Sequence, residues 1–265
     1  YQDKYGSEWN KELLVYQPRV RLALAFYEYQ KLCKQLGLGE ISYKTGPSAV
    51  LGAKTVTLLN MTKAIEILTT GKKWKAKYAV GEDENSLIHS VLNREGEVVV
   101  TQIWNAKRLL SKSVVKDVKS IMQMIPLIGT AKSSQSMLPC EGQNAWYTGG
   151  KTGTADDYTN SIYGGFFDHK FEGSGQSVMS VYVGSDDNEK MLINLKKGRR
   201  AGVDGSRGAL PIWSALVMNT IQESEGYQKP CKHSGADLDF KGSGLYRLNP
   251  YTGEKLSSGQ TYRLP

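Results

Sequence analysis

The sequence predicts an α+β fold in which an antiparallel sheet is covered by helices. Three observations predict it. Apolar residues recur at helical spacing over 20–37, 58–70, 113–125 and 210–224. Aromatic and β-branched runs bounded by Gly, Asp or Asn occupy 145–154, 161–167 and 177–184. Helices come first, then consecutive strands, then one last helix, an order that suits helices packed on an antiparallel sheet.

The first helix carries Leu22, Phe26, Tyr29, Cys33 and Leu36 on one face, and Gly37 can stop it. Two Gly and one Pro make 45–53 a loop. The second helix runs from Leu58 to about Thr70, with Leu59, Thr62, Ile65, Glu66 and Leu68 on its mostly apolar face, and Gly71 ends it. Trp74 to Val80 then alternates as a strand. Ser86–Leu92 and Val98–Trp104 flank Asn93-Arg94-Glu95-Gly96-Glu97, the pattern of a hairpin. Val114, Val115, Val118, Ile121, Met122 and Ile125 return to helical period, and Pro126 is expected to close that helix. The last helix, Leu210–Ser224, has Pro211 in its first turn and Trp213, Leu216, Val217, Thr220 and Ile221 on one side. Beyond Gly226 periodicity is lost. The chain therefore reads as one domain over 1–226 and a tail or small extension over 227–265.

A chain of 265 residues with 40% apolar and 23% charged residues can bury a sizeable core. The formal charge of +8 suits an anionic environment, yet its densest run, Lys196-Lys197-Gly198-Arg199-Arg200, reads first as a solvated basic loop. Nucleic-acid binding has only this charge behind it and no recognised module, so none is expected. No run of 18 apolar residues occurs, the first residue is Tyr, and the expectation is that the natural N-terminus lies upstream. Cys33, Cys140 and Cys231 fit no zinc spacing and are compatible with one disulfide plus a thiol or with three free thiols. His89, His169 and His233 lack ligand spacing, so no metal is expected. No Gly-x-Ser-x-Gly elbow is present. Asp156-Asp157 reads as a turn between strands rather than a pair of catalytic carboxylates. Trp146, Tyr147, Tyr163, Phe166 and Phe167 read as core.

The stretch that carries chemistry is Gly149-Gly150-Lys151-Thr152-Gly153-Thr154 on a strand. Lys151 supplies a fixed cation. Thr152 and Thr154 supply hydroxyls that can hold a carboxylate. Gly153 lets a peptide approach and pair with the strand edge. The Thr154 N–H can serve as half of an oxyanion hole. Alternation puts Lys151 and Gly153 on one side and Thr152 and Thr154 on the other, so the expectation of a common, partly open groove requires the strand edge to gather them.

A Lys-Thr-Gly triplet is a weak signal alone, being one of three elements of penicillin-binding proteins and class A β-lactamases. The flanking text strengthens it. Gly150 to Tyr158, followed by Ile162-Tyr163-Gly164-Gly165-Phe166, resembles the corresponding stretch of class A penicillin-binding proteins. So do Gly46 to Ala53 with Val56 to Met61, Leu110-Ser111 through Ile128-Gly129-Thr130-Ala131, and Ala209-Leu210-Pro211-Ile212-Trp213. The four stretches stand in the family's order over roughly 30–225.

This resemblance implies a serine β-lactamase/transpeptidase-like fold, incomplete in this chain, with helices on both faces of its sheet. It implies peptidoglycan D,D-transpeptidation. A serine attacks the D-Ala-D-Ala amide of a stem peptide, an acyl-enzyme forms, and an acceptor amine resolves it. Lys151 and Thr154 would be catalytic, Thr152, Gly153 and Thr154 substrate-binding, and no cofactor is implied. Expected partners are peptidoglycan stem peptides, β-lactams if the nucleophile is present, and an N-terminal part of the same protein such as a glycosyltransferase domain. The expected location is extracytoplasmic, in the cell envelope, with an anchor outside this sequence.

The departures from the family are specific. Its nucleophile is the Ser of Ser-x-x-Lys. The single such tetrad here, Ser113-Val114-Val115-Lys116, falls in the helix before Gly129-Thr130-Ala131, where the family has no catalytic residue, and reads as a helix-start Ser. The family's Ser-x-Asn would fall near Glu12-Leu13-Leu14, which does not match. The alternative is a non-catalytic relative that binds wall peptides or partner proteins.

Overall fold

The computed structural model of the chain describes residues 17–41, 50, 52, 55–78, 81–83, 88–138, 148–168, 175–195 and 198–223. The elements are α1 (Pro18–Gln35), α2 (Leu58–Thr70), β1 (Lys72–Tyr78), β2 (Gly81–Asp83), β3 (Ser90–Leu92), β4 (Val98–Thr101), β5 (Ile103–Arg108), α3 (Lys112–Ile128), α4 (Ser134–Met137), β6 (Thr148–Thr154), β7 (Asn160–Asp168), β8 (Gln176–Gly184), β9 (Leu192–Asn194), β10 (Arg200–Gly202) and α5 (Ala209–Glu223). The chain divides into two units, 1–64 and 65–265. The boundary expected at 226/227 lies outside the described residues.

In the first unit, α1 ends at Gly37, whose φ of +76° only glycine adopts freely. The Leu38 N–H donates to the Cys33 carbonyl and the Gly37 N–H to the Lys34 carbonyl, the two bonds of a Schellman cap. Phe26, Cys33 and Ile41 form its core, with Tyr29 and Leu38 against them. Burial, with Cys33 beside it, pushes the Tyr29 hydroxyl up to about 12. Leu22, expected on the buried face, is 52% exposed. Cys33 is a free thiol; the other two cysteines lie outside the described residues.

In the second unit the central feature is the sheet β6-β7-β8, antiparallel in sequence order as the strand pattern predicts. Both faces are covered. On one face α5 places Leu210, Trp213 and Val217 against Tyr163, Phe167, Met179, Val181 and Val183. The rings of Tyr163 and Phe167 meet Trp213 edge-on at 5.0 and 6.4 Å. The Trp213 indole N–H donates to the Met179 carbonyl at 3.1 Å. Leu216, expected on this face, is 43% exposed, because the buried ridge follows Leu210, Trp213, Ser214 and Val217. On the opposite face α3 lies on the glycine-rich start of β6. A Cβ on Gly149 would sit 2.9 Å from the Met122 carbonyl carbon and 2.6 Å from the Phe166 ring. The missing side chain lets helix backbone rest on the strand.

Several local expectations give way to tertiary context. Pro126 does not close α3, which runs to Ile128. A proline forfeits its own N–H bond and crowds the carbonyl four residues back, but so near the C-terminus the helix continues for two residues, and the Gln135 amide donates to the carbonyls of Pro126 and Leu127 at its end. The N-cap of α3 is Ser111, not Ser113: the Ser111 hydroxyl accepts from the Val114 N–H. Val114 and Ile121 are 43% and 47% exposed, so the apolar face of α3 is narrower than its period suggests. The strand expected over 98–104 breaks at Gln102, where the chain leaves β3 and β5 takes β1 as partner. The hairpin itself is present, closed by paired bonds between Asn93 and Glu97. In α2 the buried residues are Ala64, Ile65, Ile67 and Thr69, whereas Leu59 is 38% exposed.

Candidate functional site

Strand β6 changes character along its length. Thr148, Gly149 and Gly150 are buried, whereas Lys151 and Thr154 are exposed and Thr152 and Gly153 half-buried. Among the described residues β6 pairs only with β7, so its other edge is unpaired. The Ala155 N–H donates to the Asn160 carbonyl at 3.0 Å, continuing the ladder beyond Thr154 opposite Ser161. Antiparallel alternation then points the backbone N–H and C=O of Thr152 and Thr154 to the unpaired edge.

Lys151 and Gly153 share the α3 face; Thr152 and Thr154 share the α5 face. The edge reconciles them. The Lys151 ammonium folds back to donate to the Thr152 carbonyl at 2.7 Å, which places the charge beside the outward-facing backbone. A Cβ on Gly153 would meet only the Ile162 Cβ, at an ordinary 3.5 Å, so the space over this residue is open.

Each threonine hydroxyl is held by a separate loop. Thr152 Oγ1 lies 2.6 Å from Thr130 Oγ1, in the Gly129-Thr130-Ala131 turn after α3. Thr154 Oγ1 accepts from the Gly205 N–H at 3.1 Å. Gly205 sits on the sheet: a Cβ there would be 2.7 Å from the Gly153 and Ile162 carbonyl oxygens. Its loop is anchored from below. The buried Ser161 hydroxyl donates to the Asp204 carbonyl and accepts from the Ala209 N–H, both at 2.9 Å. The Asp204 carboxylate accepts from the backbone N–H groups of Ser206 and Arg207. Thr130, Ser161, Asp204 and Gly205 thus support the site without having been singled out for it in the sequence. The signal available was the Asp-Gly-Ser turn immediately before a helix.

After β6 the chain turns through Asp156–Tyr158, the turn its acidic pair predicts. Asp157 and Tyr158 both take positive φ, 56° and 58°, a left-handed backbone that costs a non-glycine residue about 1–2 kcal/mol. Local contacts hold Tyr158 there. Its ring lies where a Cβ of Gly202 would be, its carbonyl accepts from the Met191 N–H, and the Lys190 ammonium stands 5.5 Å from the ring centre.

Ser113 and Lys116 stay apart from this arrangement. Ser113 Oγ lies 2.9 Å from Ser111 Oγ, and among the described residues no hydrogen bond joins it to Lys116. α3 meets β6 at Met122 and Gln123, against Gly149, and the turn that follows it meets the strand again through Thr130, against Thr152. About 22 Å of helix at 1.5 Å per residue separates Ser113 from Ile128. Ser113 thus sits at the opposite end of α3 from the Thr130–Thr152 contact.

No protein-family model matches the chain. Its sequence is 27% identical over 211 residues, 78% of the chain, to penicillin-binding protein 1A of Aquifex aeolicus. The chain spans about a quarter of that relative's length, 24%. Among solved structures, penicillin-binding protein 1A from Haemophilus influenzae superposes with a TM-score of 0.56 at 15% identity, covering 94% of this chain and 37% of that one. The chain is thus similar to penicillin-binding proteins in sequence and has, in part, their transpeptidase-like α+β fold.

Proposed function

We propose that this chain supplies the substrate strand of a peptidoglycan D,D-transpeptidase, and that the serine nucleophile comes from outside residues 1–265. The observation that carries this reading is the outer half of β6. There an exposed cation, two hydroxyls held by separate loops, a backbone edge unpaired among the described residues and the side-chain-free Gly153 lie within four consecutive residues.

A stem peptide adds to this edge as an extra strand, exchanging bonds with the outward N–H and C=O groups of Thr152 and Thr154. Its terminal carboxylate takes the Lys151 charge and the Thr152 and Thr154 hydroxyls, each a charge-assisted bond. When the serine hydroxyl adds to the scissile carbonyl, its proton passes to an adjacent base. The carbonyl oxygen gains negative charge, and the Thr154 N–H stabilises it. The amide C–N bond then breaks, D-Ala leaves as a protonated amine, and an acceptor amine later displaces the serine ester. Lys151 and Thr154 are the catalytic contributions of this chain, and Thr152 and Gly153 bind substrate. β-Lactams would occupy the same strand. The parent protein would work at the extracytoplasmic face of the cell envelope, joined to an N-terminal glycosyltransferase part.

A second reading has one observation behind it. The chain's only Ser-x-x-Lys is far from the strand, which also fits a non-catalytic relative that keeps the strand to bind wall peptides. Binding to the strand is common to both readings and is tested directly. Calorimetric titration of the chain with a peptide ending in D-Ala-D-Ala should give reversible binding, weakened about tenfold by Lys151→Ala. No binding, or binding that Lys151→Ala leaves unchanged, overturns the proposal.

A further inference from the structure

We infer that Thr130 is a positioning residue of the carboxylate site and a part of its donor set. The inference rests on the substrate-strand reading. It starts from the count of protons at the two threonine hydroxyls.

Thr130 Oγ1 and Thr152 Oγ1 are 2.6 Å apart, at the short end for O–H···O bonds, and either oxygen can be the donor. One proton lies between them. The pair therefore has one O–H left over, whichever way the bond runs. If Thr130 donates, the Thr152 proton is free for a carboxylate and its direction is fixed by the bond its oxygen accepts. If Thr152 donates, the free proton belongs to Thr130, which then contacts the carboxylate itself. Both orientations make Thr130 necessary for one well-aimed donor. Thr130 is an exposed residue.

Thr154 offers the parallel case. Its Oγ1 accepts from the Gly205 N–H, a donor that cannot reverse, so the Thr154 proton must point elsewhere. Among the described residues it has no acceptor. Two O–H groups are left over, one on Thr154 beside a backbone N–H and one on the Thr130–Thr152 pair. A carboxylate has two oxygens to receive them.

The position of Thr130 is set by the fold. Gly129 caps α3, its N–H donating to the Ile125 carbonyl, and Ala131 is fully buried in the core under α5. Its flanks are thus pinned, and a side-chain change at 130 leaves the turn's packing intact.

The test compares two probes on the intact chain: a peptide ending in D-Ala-D-Ala with a free carboxylate, and the same peptide as its C-terminal amide. Thr130→Val keeps the shape and removes the hydroxyl. It should weaken the acid about five- to tenfold, the scale of one hydrogen bond to a charged group. It should leave the amide unchanged, so that the acid-to-amide preference collapses. Thr130→Ser should restore the preference, and it also serves if the valine variant folds poorly. Equal losses for both probes indicate a structural role and overturn the inference, as does a valine variant with full preference or a serine variant without it. A wild-type chain that binds acid and amide alike overturns the substrate-strand reading instead, and this inference with it.

Discussion

The two halves of β6 contain the same kinds of residue and do different things. Thr148-Gly149-Gly150 is buried between helices, and its glycines are demanded by neighbours: a Cβ on Gly150 would be 2.4 Å from the Tyr163 hydroxyl and 2.7 Å from the Gly164 carbonyl. Lys151-Thr152-Gly153-Thr154 emerges at an edge, and Gly153 is demanded by nothing in the fold. The difference separates glycines that the packing requires from one that it does not, within one strand. The inner half fixes the strand between α3 and α5; the outer half inherits that rigidity and spends none of its side chains on the core.

The largest expected effect is at Gly150. Gly150→Ala forces the Tyr163 ring from its place against Trp213 and should cost about 3 kcal/mol, the upper range of overpacking, read as a lower urea midpoint at constant m. A loss under about 1 kcal/mol would break the comparison from the inner side.

The next test is alkaline titration. Burial raises the Tyr163 hydroxyl above its usual value. A raised acid keeps its proton longer in the folded state than in the unfolded one. The resulting stability is complete below about pH 10 and lost as pH rises beyond it. Absorbance at 295 nm should show a tyrosine that ionises only as the sheet unfolds, and ionisation of every tyrosine in the native state would contradict the packing.

The smallest expected effect on stability sharpens the comparison most. Gly153→Ala meets no backbone, so it should shift stability by less than about 0.5 kcal/mol. The same substitution should abolish or sharply reduce peptide binding, because the added methyl occupies the open approach to the edge. Stability lost at Gly153 with binding retained would reverse the assignment of the two halves.

Much of this was legible in the sequence. The three central strands, their antiparallel order and the bounds of α2 follow from periodicity and glycine stops. The failures share a cause. Pro126 reads as a helix end, yet α3 runs two residues past it, and its last carbonyls, on Pro126 and Leu127, are met by the amide of Gln135, nine residues on. Residues 98–104 read as one strand because the change of partner at Gln102 has no local mark. Lys151, Thr152, Gly153 and Thr154 stand out in the sequence by residue type on an expected strand and by family resemblance. Their supports were not, because Thr130 and Gly205 approach from 22 and 51 residues away. A strand motif names candidate groups; the loops that hold them depend on the fold.

The central claim is that this chain holds the substrate strand and that the nucleophile lies elsewhere in the protein. Intact mass after incubation with a fluorescent penicillin tests it most directly, run on residues 1–265 and on the longest product of the same gene. Residues 1–265 should carry no adduct and the longer product one adduct, mapping to a serine outside this sequence. An adduct on Ser113, or no adduct on either protein, would contradict it.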